Sequence, residues 1–278
     1  MEHETAEQVI DIVPPRGFLF VDFAELWAYR ELLFLFAWRD ATVRYKQSVI
    51  GVAWAVLQPL LMVLIFTLIF GRFAGLPSEG VPYSVFALCG LLPWNYFARA
   101  LADSSNSLVG STHLVSKVYF PRLVLPLSRV FSGLIDFAIT FLLLLGFLAW
   151  HRIVPTKAVL LLPAFVVLAI LTSLAAGLWL TALNVRYRDV SFVVPFLVQF
   201  WMYASPVAYS SEIVPERWRT LYALNPMASV VSGFRWALLG GRAPDGAMIA
   251  ASLAIVVLLL VSGLYYFRQT EHTLVDVI

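Results

Sequence analysis

The chain has 278 residues, 61% of them hydrophobic and only 13% charged, with a formal net charge of +2. An average soluble domain is about 25% charged, so this composition excludes a soluble globular protein, and the near-neutral balance excludes an electrostatic nucleic-acid binder. One cysteine, Cys89, excludes an intrachain disulfide. None of the three lysines (Lys46, Lys117, Lys157) follows a glycine, so no Gly-Lys-Ser/Thr phosphate loop is present. If ATP drives this chain, the motor is another polypeptide.

In chain order, residues 1–21 read as a flexible polar segment, acidic at Glu2, Glu4, Glu7 and Asp11 and broken by Pro14-Pro15. They lack the apolar core and small-residue site of a cleavable signal. Residues 22–47 read as an interfacial helix, because Trp27, Phe34, Trp38, Ala41 and Tyr45 follow helical spacing. The charges scatter around its wheel, which leaves a soluble helix as the alternative. Arg39, Arg44 and Lys46 close this segment. They suit the pyrophosphate of a lipid carrier, though on sequence alone the positive-inside signal touching ordinary anionic lipid is the favoured reading.

The predicted spans are 51–71, 81–101, 124–150, 157–183, 190–210 and 246–267. A helix needs about 20 apolar residues to cross the hydrocarbon layer, and continuous runs rather than alternating segments choose helices over a barrel. Between the second and third spans, Leu108, Thr112, Val115 and Tyr119 step by helical intervals, and Pro121 should end the helix, here drawn over 107–120. This is either a lever for a partner protein or a plain surface helix. The third span holds Asp136, with Ser132 and Thr140 one turn away and Arg129 two turns back. A charge within a span raises a functional suspicion, but a lone acid makes a poor relay, and a structural contact between helices is the favoured reading. In the fifth span, Phe192, Phe196, Phe200 and Tyr203 form one stripe beside Trp201. Such rings suit either lipid contact or the apolar faces of sugars. Residues 213–240 are too polar for a span and too apolar for a loop. With Asn225-Pro226 as a break and Gly240-Gly241 as a stop, they read as a re-entrant helical pair.

An even span count puts both termini on one face. With the termini inside, twelve of the nineteen basic residues fall on the cytoplasmic side. No repeat with matched broken helices is visible, which weighs against an inverted-repeat secondary transporter. The four histidines lie in different segments and form no metal cluster, and no acid/base pair or nucleophile triad argues for an enzyme.

The stretch from Arg39-Asp40 through Leu57-Gln58-Pro59 resembles the start of ABC-2 type polysaccharide exporter permeases. So do Asn184-Val185-Arg186-Tyr187-Arg188-Asp189, Ser205-Pro206-Val207, Val214-Pro215-Glu216-Arg217-Trp218, Leu224-Asn225-Pro226-Met227 and the tail from Tyr266-Phe267-Arg268. The likeness runs in order over about residues 25–278 and is strongest to permeases for lipid-linked O-antigen. It implies an all-α polytopic fold of six transmembrane helices, with an interfacial helix before the first and a re-entrant pair before the last. It further implies a homodimer in the bacterial inner membrane, carrying two copies of a separate ABC ATPase and moving an undecaprenyl-pyrophosphate-linked glycan.

On that resemblance, 107–120 is the coupling helix, with Leu108, Thr112, Val115 and Tyr119 towards the ATPase. Trp54, Phe66 and Phe70 join Phe192, Phe196, Phe200, Trp201 and Tyr203 along an aromatic substrate path. Arg39, Arg44 and Lys46 take the lipid pyrophosphate, and Trp218, Tyr222, Asn225 and Pro226 form the re-entrant outer mouth. No cofactor is expected on this chain, ATP and Mg belonging to the ATPase. Capsule or teichoic-acid export is the nearest alternative, followed by export of a small amphiphile and by an ion-coupled transporter built on Asp136.

Overall fold

The computed structural model describes residues 23–46 and 53–277, and these form helices and turns with no strand among them. The expectations for 1–21 and for the junction at 47–52 lie outside the described residues.

Two helices precede the first span: α1 (Phe23–Ala28) and α2 (Arg30–Lys46). The predicted pre-span helix is therefore interrupted at Tyr29. α3 (Ala53–Phe66) continues into a π-helical segment at Thr67–Phe73. α4 (Tyr83–Ser105) and α6 (Val124–Trp150) flank a loop that holds the four-residue α5 (Thr112–Val115). α7 (Leu162–Arg186) follows, then α8 (Val190–Tyr203), α9 (Glu216–Ala223), α10 (Pro226–Leu239) and α11 (Gly246–Val277).

Five stretches are long and apolar enough to cross a bilayer: Ala53–Phe73, Tyr83–Ser105, Val124–Trp150, Lys157–Arg186 and Gly246–Glu271. The chain is thus a multi-pass membrane protein. α8 differs from expectation. It has 14 residues, about 21 Å at 1.5 Å per residue, against a hydrocarbon layer of about 30 Å. Ser205-Pro206 is the cause, since the residue before a proline is driven out of helical geometry and the proline lacks an N–H.

α4 is the axis of the bundle, packed among α6, α7 and α10. Its Phe86, Leu88, Leu91, Leu92, Phe97 and Leu101 are fully buried. It is also the least apolar span, with a mean hydropathy of 1.2 against 2.2 to 2.7 for the other four. The two facts belong together, because a helix shielded from lipid by its neighbours can carry polar side chains that a lipid-facing helix cannot. α3 and α11, which bury little of their surface, are correspondingly more apolar.

Hydrogen bonds and close packing, rather than hydrophobic burial, hold helices together in lipid. Between α7 and α4, Thr181 Oγ1 donates to the Ser104 carbonyl at 2.8 Å and Asn184 Nδ2 donates to the Ser105 carbonyl at 3.0 Å. Between α7 and α11, Trp179 Nε1 donates to Ser262 Oγ at 3.1 Å, and its ring stacks on Tyr266 with centroids 4.8 Å apart. A second apolar cluster at the opposite end from the α3–α4 loop joins Phe36, Leu108, Phe120, Leu125 and Phe267.

The loop between α4 and α6 is not one helix over 107–120. It consists of a turn, a 3-10 turn at Val109–Ser111, α5, and then non-helical chain to Phe120. Gly110 and the flanking Ser107, Ser111 and Ser116 explain this: glycine costs backbone entropy in a helix, and serines compete for backbone groups. Leu108 and Phe120 pin the ends of the loop. Phe120 meets the Phe36 ring edge-on with centroids 5.8 Å apart, and both residues are buried.

Candidate functional site

An ionic cluster lies where α2, α3, α4 and α6 meet. Arg44 of α2 donates to Asp136 Oδ2 and, at 3.1 Å, to Asp103 Oδ2. Arg99 Nη1 of α4 donates to the same Asp136 oxygen at 2.6 Å, and its Nη2 approaches Gln58 Oε1 of α3 at 3.4 Å. One turn back along α2, Asp40 pairs with Arg129 of α6 at 3.0 Å. The matched pairs Asp40–Arg129 and Arg44–Asp136 show α2 running alongside α6 in the same direction. Arg44 is thereby carried into the bundle.

Asp136 is therefore not alone, and Arg129 is not the cation that faces it. Two guanidiniums and two carboxylates balance in charge, which is what a buried ionic group requires. Asp136 Oδ1 is buried and without a hydrogen-bond partner. Beside the cluster lies a cavity of about 300 Å³, lined among others by Arg44, Trp54, Gln58, Asn95, Arg99 and Asp136. Each guanidinium has five N–H donors in a fork that fits phosphate. The cavity wall itself carries two guanidiniums and one carboxylate, Asp103 lying outside it, so Arg44 and Arg99 together can hold an anionic group there.

The three basic residues predicted as one pyrophosphate site do not converge. Arg39 pairs with its neighbour Asp40 at 3.0 Å and lies over the Phe36 ring at 5.0 Å. Lys46 is exposed, and only Arg44 enters the cluster. At about 100° per residue, positions 39 and 46 share one face of α2 and position 44 lies nearly opposite, so a shared helix does not give a shared site.

The α8 stripe faces outward. Phe192 is 81% exposed, and Phe196, Phe200 and Tyr203 remain more than half exposed. Trp201, predicted with them, turns the other way: its ring meets Phe97 edge-on at 4.9 Å, and its Nε1 donates to Asn225 Oδ1 at 2.9 Å. On α3, Trp54 is half exposed and lines the cavity, but Phe66 is buried and packs on Phe70 with centroids 5.2 Å apart. Phe66 and Trp201 are thus interior groups in this chain and stand apart from the exposed stripe.

α9 and α10 are separate helices broken at Leu224-Asn225. Asn225 is the hinge between them and α8. Its Oδ1 accepts from Met227 N at 3.1 Å, capping α10, and also from Trp201. Its Nδ2 donates to Ser205 Oγ at 2.9 Å and to the Ala204 carbonyl at 3.2 Å. Pro226, buried, occupies the first helical position, where its missing N–H costs nothing. Gly240 closes α10 with φ of 79°, a left-handed conformation natural to glycine. Trp218 is exposed on α9, while Tyr222 turns inward beside Tyr209. Asn225→Ala removes the cap and the bridge to α8 together. It should cost about 2 kcal/mol, a cap being worth about 1 and each further bond about 1 or less. Faster amide exchange in the first turn of α10 checks this; exchange like the unmodified protein would refute it.

Of the predicted coupling residues, Leu108 is buried, Thr112 and Val115 are half-buried and Tyr119 is 62% exposed. They do not share one face. The outward apolar pair is Val118 and Tyr119, on the non-helical end of the loop. Partial burial and then the Glu25 carboxylate, 3.5 Å from its hydroxyl, push the Tyr119 phenol up in pKa, so it stays neutral.

The sequence model of the ABC-2 type transporter family matches residues 31–239. The chain belongs to the ABC-2 type transporter family. It is 32% identical over 252 residues to the O-antigen export system permease protein RfbA of Myxococcus xanthus, covering 89% of this chain and 96% of that protein. It is 27% identical to an RfbA of the same description from Klebsiella pneumoniae, covering 89% and 95%. It is 25% identical to the polysialic acid transport protein KpsM of Escherichia coli, covering 88% and 94%.

Within this ABC-2 chain, Arg99, Asp103 and Gln58 are the cluster members that sequence reading missed. The signal was available: Arg99 and Asp103 stand one turn apart at the polar end of the second span, four residues being helical neighbours. Positive-inside counting absorbed Arg99 as a flanking charge.

Proposed function

We propose that this chain is the permease subunit of an ABC exporter that moves undecaprenyl-pyrophosphate-linked O-antigen polysaccharide across the bacterial inner membrane. The similarity over 89% of the chain to an O-antigen export permease carries the reading. The missing nucleotide-binding loop supports a separate ATPase, two copies of which bind a homodimer of this subunit. Both termini are cytoplasmic, α8 with the turns after it completes a sixth crossing, and α9 and α10 dip back into the outer leaflet. Arg44 and Arg99 receive the pyrophosphate beside Asp136. The glycan follows the exposed rings of α8, where weak repeated contacts keep it moving. A capsular polymer is the second reading, favoured by the likeness to KpsM.

Surface polysaccharide in a strain deleted for its own permease tests this. The unmodified gene should restore lipid-linked O-antigen export and retain a bound ATPase on purification; failure of that rescue overturns the export reading, and rescue of capsule alone favours the second. Changing Val118→Asp and Tyr119→Asp together should leave stability within about 0.5 kcal/mol, since both side chains are exposed. The ATPase should then no longer co-purify. Normal co-purification and normal export would remove this loop from the docking surface.

A further inference from the structure

At the end of the bundle opposite the Arg44–Asp136 cluster, a cavity of about 510 Å³ lies between the α3–α4 loop, the α8–α9 connection, α9, α10 and the start of α11. Its volume falls in the range of small-ligand pockets, about 300–1,000 Å³. Its wall holds three guanidiniums, from Arg219, Arg235 and Arg242, against three carboxylates, from Glu79, Glu212 and Asp245. A simple anion or cation gains little from such a balanced lining. A neutral polyol gains much, because each of its hydroxyls both donates and accepts, and fixed donors and acceptors surround the void.

Two observations point to a ligand here. Arg235 is 3% exposed. It is held by its Nη1 on the Tyr209 carbonyl at 2.9 Å, its Nη2 on the Val207 carbonyl at 2.8 Å and the Phe86 ring beneath it at 3.5 Å. Yet its Nε–H, also buried, has no hydrogen-bond partner. Ser232, one turn earlier on α10, likewise lines the cavity with a buried hydroxyl that has none. Buried polar groups are almost always satisfied, yet three residues of this one wall, Tyr222, Ser232 and Arg235, each carry a buried polar atom without a hydrogen-bond partner among the described residues. Gly90 supports the placement: a side chain there would collide with the Arg235 guanidinium and the Val207 carbonyl, so this glycine lets both sit against α4. Tyr222 adds an aromatic wall that suits the apolar face of a sugar ring.

We infer that this cavity is a carbohydrate-binding site on the exit side of the transporter, taking a sugar unit of the emerging glycan through Ser232, Arg235 and the acids opposite. The inference rests on the export reading above. It adds a fixed sugar site, distinct from the α8 rings, that retains the chain between strokes.

The test uses the whole transporter, permease with ATPase, in lipid nanodiscs. The probe is the polysaccharide released by mild acid from the lipopolysaccharide of a strain whose export the unmodified gene restores. Saturation-transfer NMR should show binding, and Ser232→Ala should weaken it about fivefold, the scale of one hydrogen bond. Removing an unpartnered hydroxyl should leave the thermal midpoint unchanged or higher, a result that a purely structural serine would not give. Arg242→Gln, at an exposed position, should weaken binding similarly. Unchanged affinity in both variants overturns the site while restored export keeps the export reading intact. So does an unmodified protein that exports but shows no saturation transfer, the cavity then holding only water. Failure of the unmodified gene to restore export removes the reading on which the site depends, and the inference with it.

Discussion

Replacing Asp136 by asparagine destabilises the bundle by about 3 kcal/mol, the low end of the cost of stripping one partner from a buried ion pair. The low end applies because the two cations are not sealed off: the side chains of Arg44 and Arg99 keep 24% and 33% exposure. Arg44 also retains Asp103 at 3.1 Å, whereas Arg99 loses the one carboxylate it bonds directly among the described residues. Thermal unfolding of the purified transporter measures the loss. The double replacement Asp136→Asn with Arg99→Gln should recover part of it, since it removes the stranded cation along with the acid. The same pair of proteins decides between structure and chemistry at Asp136. An ion-coupled transporter would keep its stability in Asp136→Asn and lose transport outright, and the double replacement would gain no stability over the single one. A single variant as stable as the unmodified protein would show that the cluster does not pin α2 to α6.

Why the cluster escaped sequence reading is a matter of distance along the chain. Asp136 takes its bonds from Arg44, 92 residues away, and Arg99, 37 residues away. Helical spacing shows which residues share a face of one helix, not which face another helix covers. Features that depend on local chemistry were legible. The α8 stripe at 192, 196, 200 and 203 is a wheel property, and Asn225-Pro226 announces a cap and a first helical residue in four letters. Ser205-Pro206 was equally local, and counting apolar residues through it made the fifth span too long. The loop at 107–120 shows the converse error. Its apolar spacing matched a helix, but Gly110 and three serines gave the backbone better alternatives, and Leu108 was drawn into the second core instead of onto a docking face. The all-helical class and the multi-pass character followed from composition, because lipid leaves the backbone few ways to satisfy itself.

The exposed aromatic face of α8 carries the second large effect. Replacing Phe196 and Phe200 together by alanine should lower export about tenfold while leaving the amount and stability of the protein nearly unchanged. The two halves of that expectation come from different physics. Neither ring contributes to the core, both being more than two-thirds exposed, and substitutions at such positions usually move stability by about 0.5 kcal/mol or less. If a sugar ring stacked on an aromatic face is worth as much as an aromatic pair, about 0.5–1.5 kcal/mol, losing two contacts reaches about the 1.4 kcal/mol that corresponds to a factor of ten. Trp201→Ala is the control from the same helix. It removes the ring on Phe97 and the bond to Asn225, which should cost about 2–3 kcal/mol of stability and lower protein yield. Export per surviving molecule should change less than in the Phe196/Phe200 variant. Surface polysaccharide normalised to membrane protein separates the two. If the double variant exports normally, the rings face lipid, and the glycan takes another route through the transporter. If Trp201→Ala instead gives the larger loss per molecule at full stability, the path runs on the inner face of α8, against Phe97.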